Sequence, residues 1–118
     1  MDAPALRELF SAFGRVDVRR MFGGMGIFAD DRMIALVSRG VIYLKSDQDT
    51  APAFDGEGLE PFSYDTRDGR RRVMTQYRRM PDRLYDDPEE LATWARQAFA
   101  AALRAVSPPR KPAGQARR

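Results

Sequence analysis

Between Gly26 and Lys45 the chain runs through three short apolar segments joined by very short connections, and that spacing leaves few folds open. The segments are Gly26-Ile27-Phe28-Ala29, Met33-Ile34-Ala35-Leu36-Val37 and Val41-Ile42-Tyr43-Leu44-Lys45. Asp30-Asp31 and Arg39-Gly40 supply the turns. Connections of this length cannot carry a chain back to a parallel neighbour, so the segments are expected as an antiparallel meander. Upstream, Val16-Asp17-Val18 alternates like a strand and loses phase at Arg19-Arg20. Gly23-Gly24-Met25-Gly26 then interrupts the pattern and reads as a bulged strand connection that needs positive φ. Phe62-Ser63-Tyr64 and Val73-Met74-Thr75-Gln76-Tyr77 read as a second hairpin, turned by Arg67-Asp68-Gly69.

Helices bracket these strands. Leu6, Leu9, Phe10 and Phe13 share one helical face, with Asp2 as N-cap, Pro4 in the first turn and Gly14 as the stop. A short helix is expected from Asp47–Thr50 to near Phe54, ended by Gly56, Gly58 and Pro61. The C-terminal helix is the strongest signal. Asp87 precedes Pro88 and lies three residues before Glu90, which imitates a capping box. Leu91, Trp94, Ala95, Ala98, Phe99, Ala102, Leu103 and Val106 form its apolar face, which is expected to cover the sheet. The fold class is therefore α+β: an antiparallel β-sheet, meander plus second hairpin, in two layers with N- and C-terminal helices. Residues 1–106 form the domain, and residues 107–118, rich in Pro, Gly and basic residues, are expected as a disordered basic tail.

The 118 residues include neither Cys nor His. That excludes disulfides, thiol nucleophiles, thiolate metal sites and the commonest general base. Lys45, one of two lysines, reads as a solvated strand end. Asp30-Asp31 and the acids at 86–90 are explained by turn formation and helix capping, so no metal and no cofactor is expected. The glycine run lacks the Gly-Lys-[Ser/Thr] of a P-loop and the strand–helix setting of a dinucleotide fingerprint. It does contain the GxxG pattern with which KH domains clamp a nucleic-acid backbone, though here strands flank it.

The charge of +3 is unevenly placed. Residues 67–83 hold seven Arg against Asp68 and Asp82, and the tail adds Arg110, Lys111, Arg117 and Arg118. Arg70, Arg71, Arg72, Tyr77, Arg78 and Arg79, with Arg110 and Lys111, are the candidate surface for nucleic acid or a partner. Alternate side chains of a strand project to opposite faces, so solvated edge charge competes with that reading. The N-terminus has no basic segment before an apolar stretch, and no apolar run approaches 18 residues. A cytoplasmic location without membrane contact is expected, as monomer or homodimer.

The run Arg20-Met21-Phe22-Gly23-Gly24-Met25-Gly26-Ile27-Phe28 resembles the signature of the TfoX/Sxy N-terminal domain family. Tyr43-Leu44-Lys45, Pro61-Phe62-Ser63-Tyr64, Tyr77 and the Asp87-Pro88-Glu89-Glu90-Leu91 start of a Trp-containing helix extend the resemblance over about residues 5–106. Its motif positions here are Arg20, Met21, Phe22, Gly23, Gly24, Gly26, Tyr43 and Lys45. The resemblance implies an α+β domain and kinship with bacterial regulators of natural competence, which work with the cyclic-AMP receptor protein at promoters. It implies no catalytic residue. The expected function is a non-catalytic regulatory domain that acts by protein–protein contact as a transcription co-regulator. Weakly specific nucleic-acid binding through the Arg-rich hairpin and tail is the first alternative. A small ligand-binding protein or enzyme that uses the glycine region is the second.

Overall fold

The computed structural model describes residues 1–21 and 23–106. The expected basic tail, with Arg110 and Lys111, lies outside the described residues, as does Phe22. The elements run α1 (Ala3–Leu9), β1 (Asp17–Met21), β2 (Gly24–Ala29), β3 (Arg32–Ser38), β4 (Val41–Lys45), α2 (Ala51–Gly56), β5 (Pro61–Asp65), β6 (Arg71–Arg79), a 3-10 turn over Asp82–Asp86, and α3 (Pro88–Val106). The meander and the second hairpin join into one six-stranded antiparallel sheet of order β1-β2-β3-β4-β6-β5. Two tight turns set the meander. Asp30 and Asp31 take φ of 49° and 62°, and Arg39 and Gly40 take 52° and 76°. Two successive positive φ values match the twist of the strands they join.

Cross-strand partners share a face, so the register sorts the side chains. Val18, Ile27, Ala35 and Leu44 lie in one row, and Met25, Val37 and Ile42 in the next. These residues meet Leu6 of α1 and Phe10 at its C-cap, Phe54 of α2, and Leu91, Ala95, Ala98 and Ala102 of α3 in the core or against it. All three helices thus lie on one face of the sheet, which gives the two layers. α1 is fixed as its sequence pattern requires: the Asp2 carboxylate accepts from the Ala5 N–H at 3.0 Å, and Leu6 and Phe10 are fully buried. At α3, Asp87 accepts from the Glu90 N–H at 3.1 Å.

Several details differ from the expectation. The glycine run does not bulge the strand. Met21 pairs with Gly24, which leaves a two-residue connection, and β2 starts at Gly24 rather than at Gly26. Of these glycines only Gly23 takes a positive φ, +77°. The irregularity falls later, between Ile27 and Phe28. Leu103, read as part of the covered face of α3, is exposed, because it falls outside the stripe that buries Ala98 and Ala102. Trp94 is half-buried and meets the Phe54 ring edge-on at 5.1 Å, so it seals the α2–α3 seam rather than filling the core.

The seam closes at its other end on Asp47. Its carboxylate accepts from Arg104 Nε at 2.7 Å, and from the Asp49 and Thr50 N–H groups at 3.0 and 3.2 Å. Hydrogen bonding from Arg104 holds the Asp47 carboxyl below its ordinary range, the two N–H groups add to this, and burial opposes it. A carboxylate with a depressed folded pKa stabilises above its unfolded value of about 3.9, and that contribution disappears as pH falls through the lower folded value. Asp47→Asn is therefore expected to lose about 1–2 kcal/mol at neutral pH, the scale of a hydrogen bond to a charged group. The gap to wild type should close in acid, which urea titrations across pH 2.5–7 measure.

Candidate partner-docking surface

The second face of the sheet carries no helix. Gly26, Leu36, Tyr43 and Arg79 form one cross-strand row on it, and Phe28 pairs with Met33 beside that row. None of these side chains belongs to the core cluster under the helices; Leu36 is buried within its own face, at 9% exposed, and Phe28, Met33 and Tyr43 are half-buried. Two groups of apolar side chains occupy the face. At the β1–β3 end, a side chain at Gly26 would meet Met21 Sδ, Phe28 Cε1 and Met33 Sδ within 3.0 Å, so these three groups close over the glycine. Arg19, paired with Asp31 at 2.9 Å, lies 4.2 Å from the Phe28 ring centroid. At the β4–β5 end, Tyr43 meets Phe62 edge-on at 5.0 Å, and Phe62 stacks with Tyr64 at 5.8 Å.

The family-motif positions thus build this face more than any cleft. Gly23 turns β1 into β2, Gly24 admits the backbone of β3, and Gly26 makes room for Met21. Tyr43 sits at one end of the aromatic row, against Phe62. Arg20 is exposed on the edge strand opposite Met25, away from the others. Lys45 is not the solvated strand end that the pattern indicated. It is half-buried with its Nζ 5.1 Å from the Tyr77 ring centroid, and desolvation lowers its pKa. Lys45 also borders a small cleft of about 190 Å³ between α2 and α3, with Phe54 and Trp94 in its walls.

The arginine set does not form one surface. Arg70, Arg71 and Arg72 are exposed near the tip of the β5–β6 hairpin, where Arg70 and Arg71 pair loosely with Asp68 and Asp65 at 3.6 and 3.4 Å. Arg79 pairs with Glu60 and Asp82. Arg78 is turned to the helical side, where it donates to the Leu59 carbonyl at 3.0 and 2.7 Å and to Asp55 at 2.6 Å. Tyr77 is 5% exposed, and burial pushes its hydroxyl up to about 12, so its ring offers no face to a ligand. Phe28, Met33, Leu36, Phe62 and Tyr64 are read from the sequence as strand residues and not as members of a site. Their signal is a shared face, and only the register between strands reveals it.

No group of Asp and Glu among the described residues is arranged to hold a metal ion, and no described helix is long and apolar enough to cross a membrane. The family model for the TfoX N-terminal domain matches residues 8–102. The chain belongs to the TfoX N-terminal domain family. A DNA transformation protein, TfoX1 of Aliivibrio fischeri, is 37% identical over 63 residues. That stretch is 50% of this chain and 30% of the relative, so the likeness covers under a third of the relative's length. The TfoX match takes in the Arg20–Phe28 run and all six strands.

Proposed function

We propose that this TfoX domain is a non-catalytic regulatory module of the cytoplasm that acts by protein–protein contact as a transcription co-regulator. Its docking surface is the Met21, Phe28, Met33 and Leu36 end of the helix-free sheet face. The observation that carries this reading is that apolar face, built by the family signature itself and backed by no helix. Methionines around an aromatic ring adapt to a partner's shape, and a contiguous apolar patch on a soluble domain marks an interaction site. Kinship with a DNA transformation protein supports a partner at promoters, with the cyclic-AMP receptor protein as the first to test.

Binding of the purified chain to that receptor on promoter DNA, measured by calorimetry, tests the reading. Phe28→Asp and Met33→Asp are expected to weaken binding at least about tenfold, the scale of an interface anchor. Neither residue belongs to the core, so thermal melts should show both variants folded. Undiminished binding by the two variants would remove the face from the proposal, and no binding by wild type would remove this partner.

A further inference from the structure

We propose that the β4–β5 end of the same sheet face, together with the hairpin tip, binds single-stranded nucleic acid. Tyr64 stacks a base, and Arg67, Arg70 and Arg72 hold the adjoining phosphates. The proposal does not depend on the protein contact above, because it uses the opposite end of the face.

The aromatic member of the site is the first observation. A ring that stacks a base must offer a π-face and be held still. Tyr77 offers none, whereas Tyr64 is 44% exposed and rests against Phe62, which is itself fixed on Tyr43. The three rings form a continuous row on a sheet face that no helix covers. Tyr64 pairs directly across the strands with Arg72, so the most exposed ring among the described residues and a guanidinium share that face.

The charge is the second observation. Thr66, Arg67, Asp68, Arg70, Arg71 and Arg72 line an open concavity of about 580 Å³ at the hairpin tip. Four guanidiniums there face one carboxylate lining the concavity and Asp65 beside it. The two ion pairs are long and exposed, so they cost little to exchange for phosphate. Arg67 and Arg72 form no ion pair among the described residues, whereas Arg78, Arg79, Arg83 and Arg104 are all committed. Within residues 67–83, the arginines left without an ion pair gather at the end of the aromatic row. Phosphates spaced along a strand whose bases are unstacked complement both features at once. A duplex keeps its π-faces hidden, and a run of carboxylates alone has no ring to place on Tyr64.

Fluorescence anisotropy of the full chain with a labelled oligothymidylate of about 12 nucleotides tests this. Binding at low salt should fall steeply as salt rises, and a duplex of equal length should bind less tightly. Tyr64→Ala should weaken binding about tenfold while Tyr64→Phe keeps it, the difference expected of a lost stack. Arg72→Gln should reduce both the affinity and its salt dependence. These side chains are exposed, so unchanged thermal melts will show that the variants fold. Binding by Tyr64→Ala equal to wild type, equal affinity for the duplex, or full displacement by polyglutamate at matched charge would each overturn the proposal. Failure here leaves the Phe28 and Met33 test untouched.

Discussion

Gly24→Ala is expected to destabilise the domain by about 3 kcal/mol or more, the largest effect of any glycine substitution in the signature. A Cβ at this position would stand 2.1 Å from the Val37 carbonyl oxygen and 3.3 Å from its carbon. Both are backbone atoms of the neighbouring strand, so no rotamer change relieves the overlap. Relief requires β2 and β3 to separate next to the Met25–Val37 pair, where Val37 is also a core residue. The other two glycines set the scale. At Gly26 the obstacles are the ends of Met21, Phe28 and Met33, which can swing away, and Gly23 has open space but a φ of +77°. Each should cost about 1 kcal/mol as alanine, from side-chain rearrangement and backbone strain respectively. Urea denaturation of the three variants checks the order. If Gly24→Ala unfolds with Gly23→Ala, close strand approach is not what the signature protects.

The turns and helices were legible because each depends on local chemistry. Asp30-Asp31 and Arg39-Gly40 name their own turn geometry, and Asp2 and Asp87 cap the helices that follow them. The faces of the second hairpin were not legible, because a register shift sets them. Pro61 pairs with Arg78, yet the next residue, Phe62, pairs with Met74, so three residues of β6 have no counterpart in β5. An odd number of extra residues exchanges the two faces. Strict alternation from Met74 would put Arg78 beside Phe62 and Tyr64. The shift instead sends Arg78 to the helical side with Leu44, and pairs Tyr77 with Lys45. Tyr64 and Tyr77 look alike in the sequence, and this shift contributes to one being available and the other buried.

Arg78→Ala follows from that exchange and is expected to cost about 2–3 kcal/mol, whereas Arg72→Ala on the same strand should cost less than about 0.5 kcal/mol. The Arg78 side chain is 13% exposed. Its guanidinium makes two bonds to the Leu59 carbonyl and lies 5.7 Å from the Phe54 ring centroid. Truncation takes both of those donors from that carbonyl and removes packing from a core ring, and the exposed Asp55 is the lesser loss. Lysine would restore the charge but not the fork that reaches Leu59 and Asp55 together, so Arg78→Lys should recover little of the stability. Arg72 has no such commitment and sits in water opposite Tyr64. The two substitutions should therefore separate cleanly: Arg78→Ala lowers the unfolding midpoint, and Arg72→Ala leaves it in place while weakening strand binding. Equal midpoints for the two variants would mean that Arg78 contributes no more than surface charge.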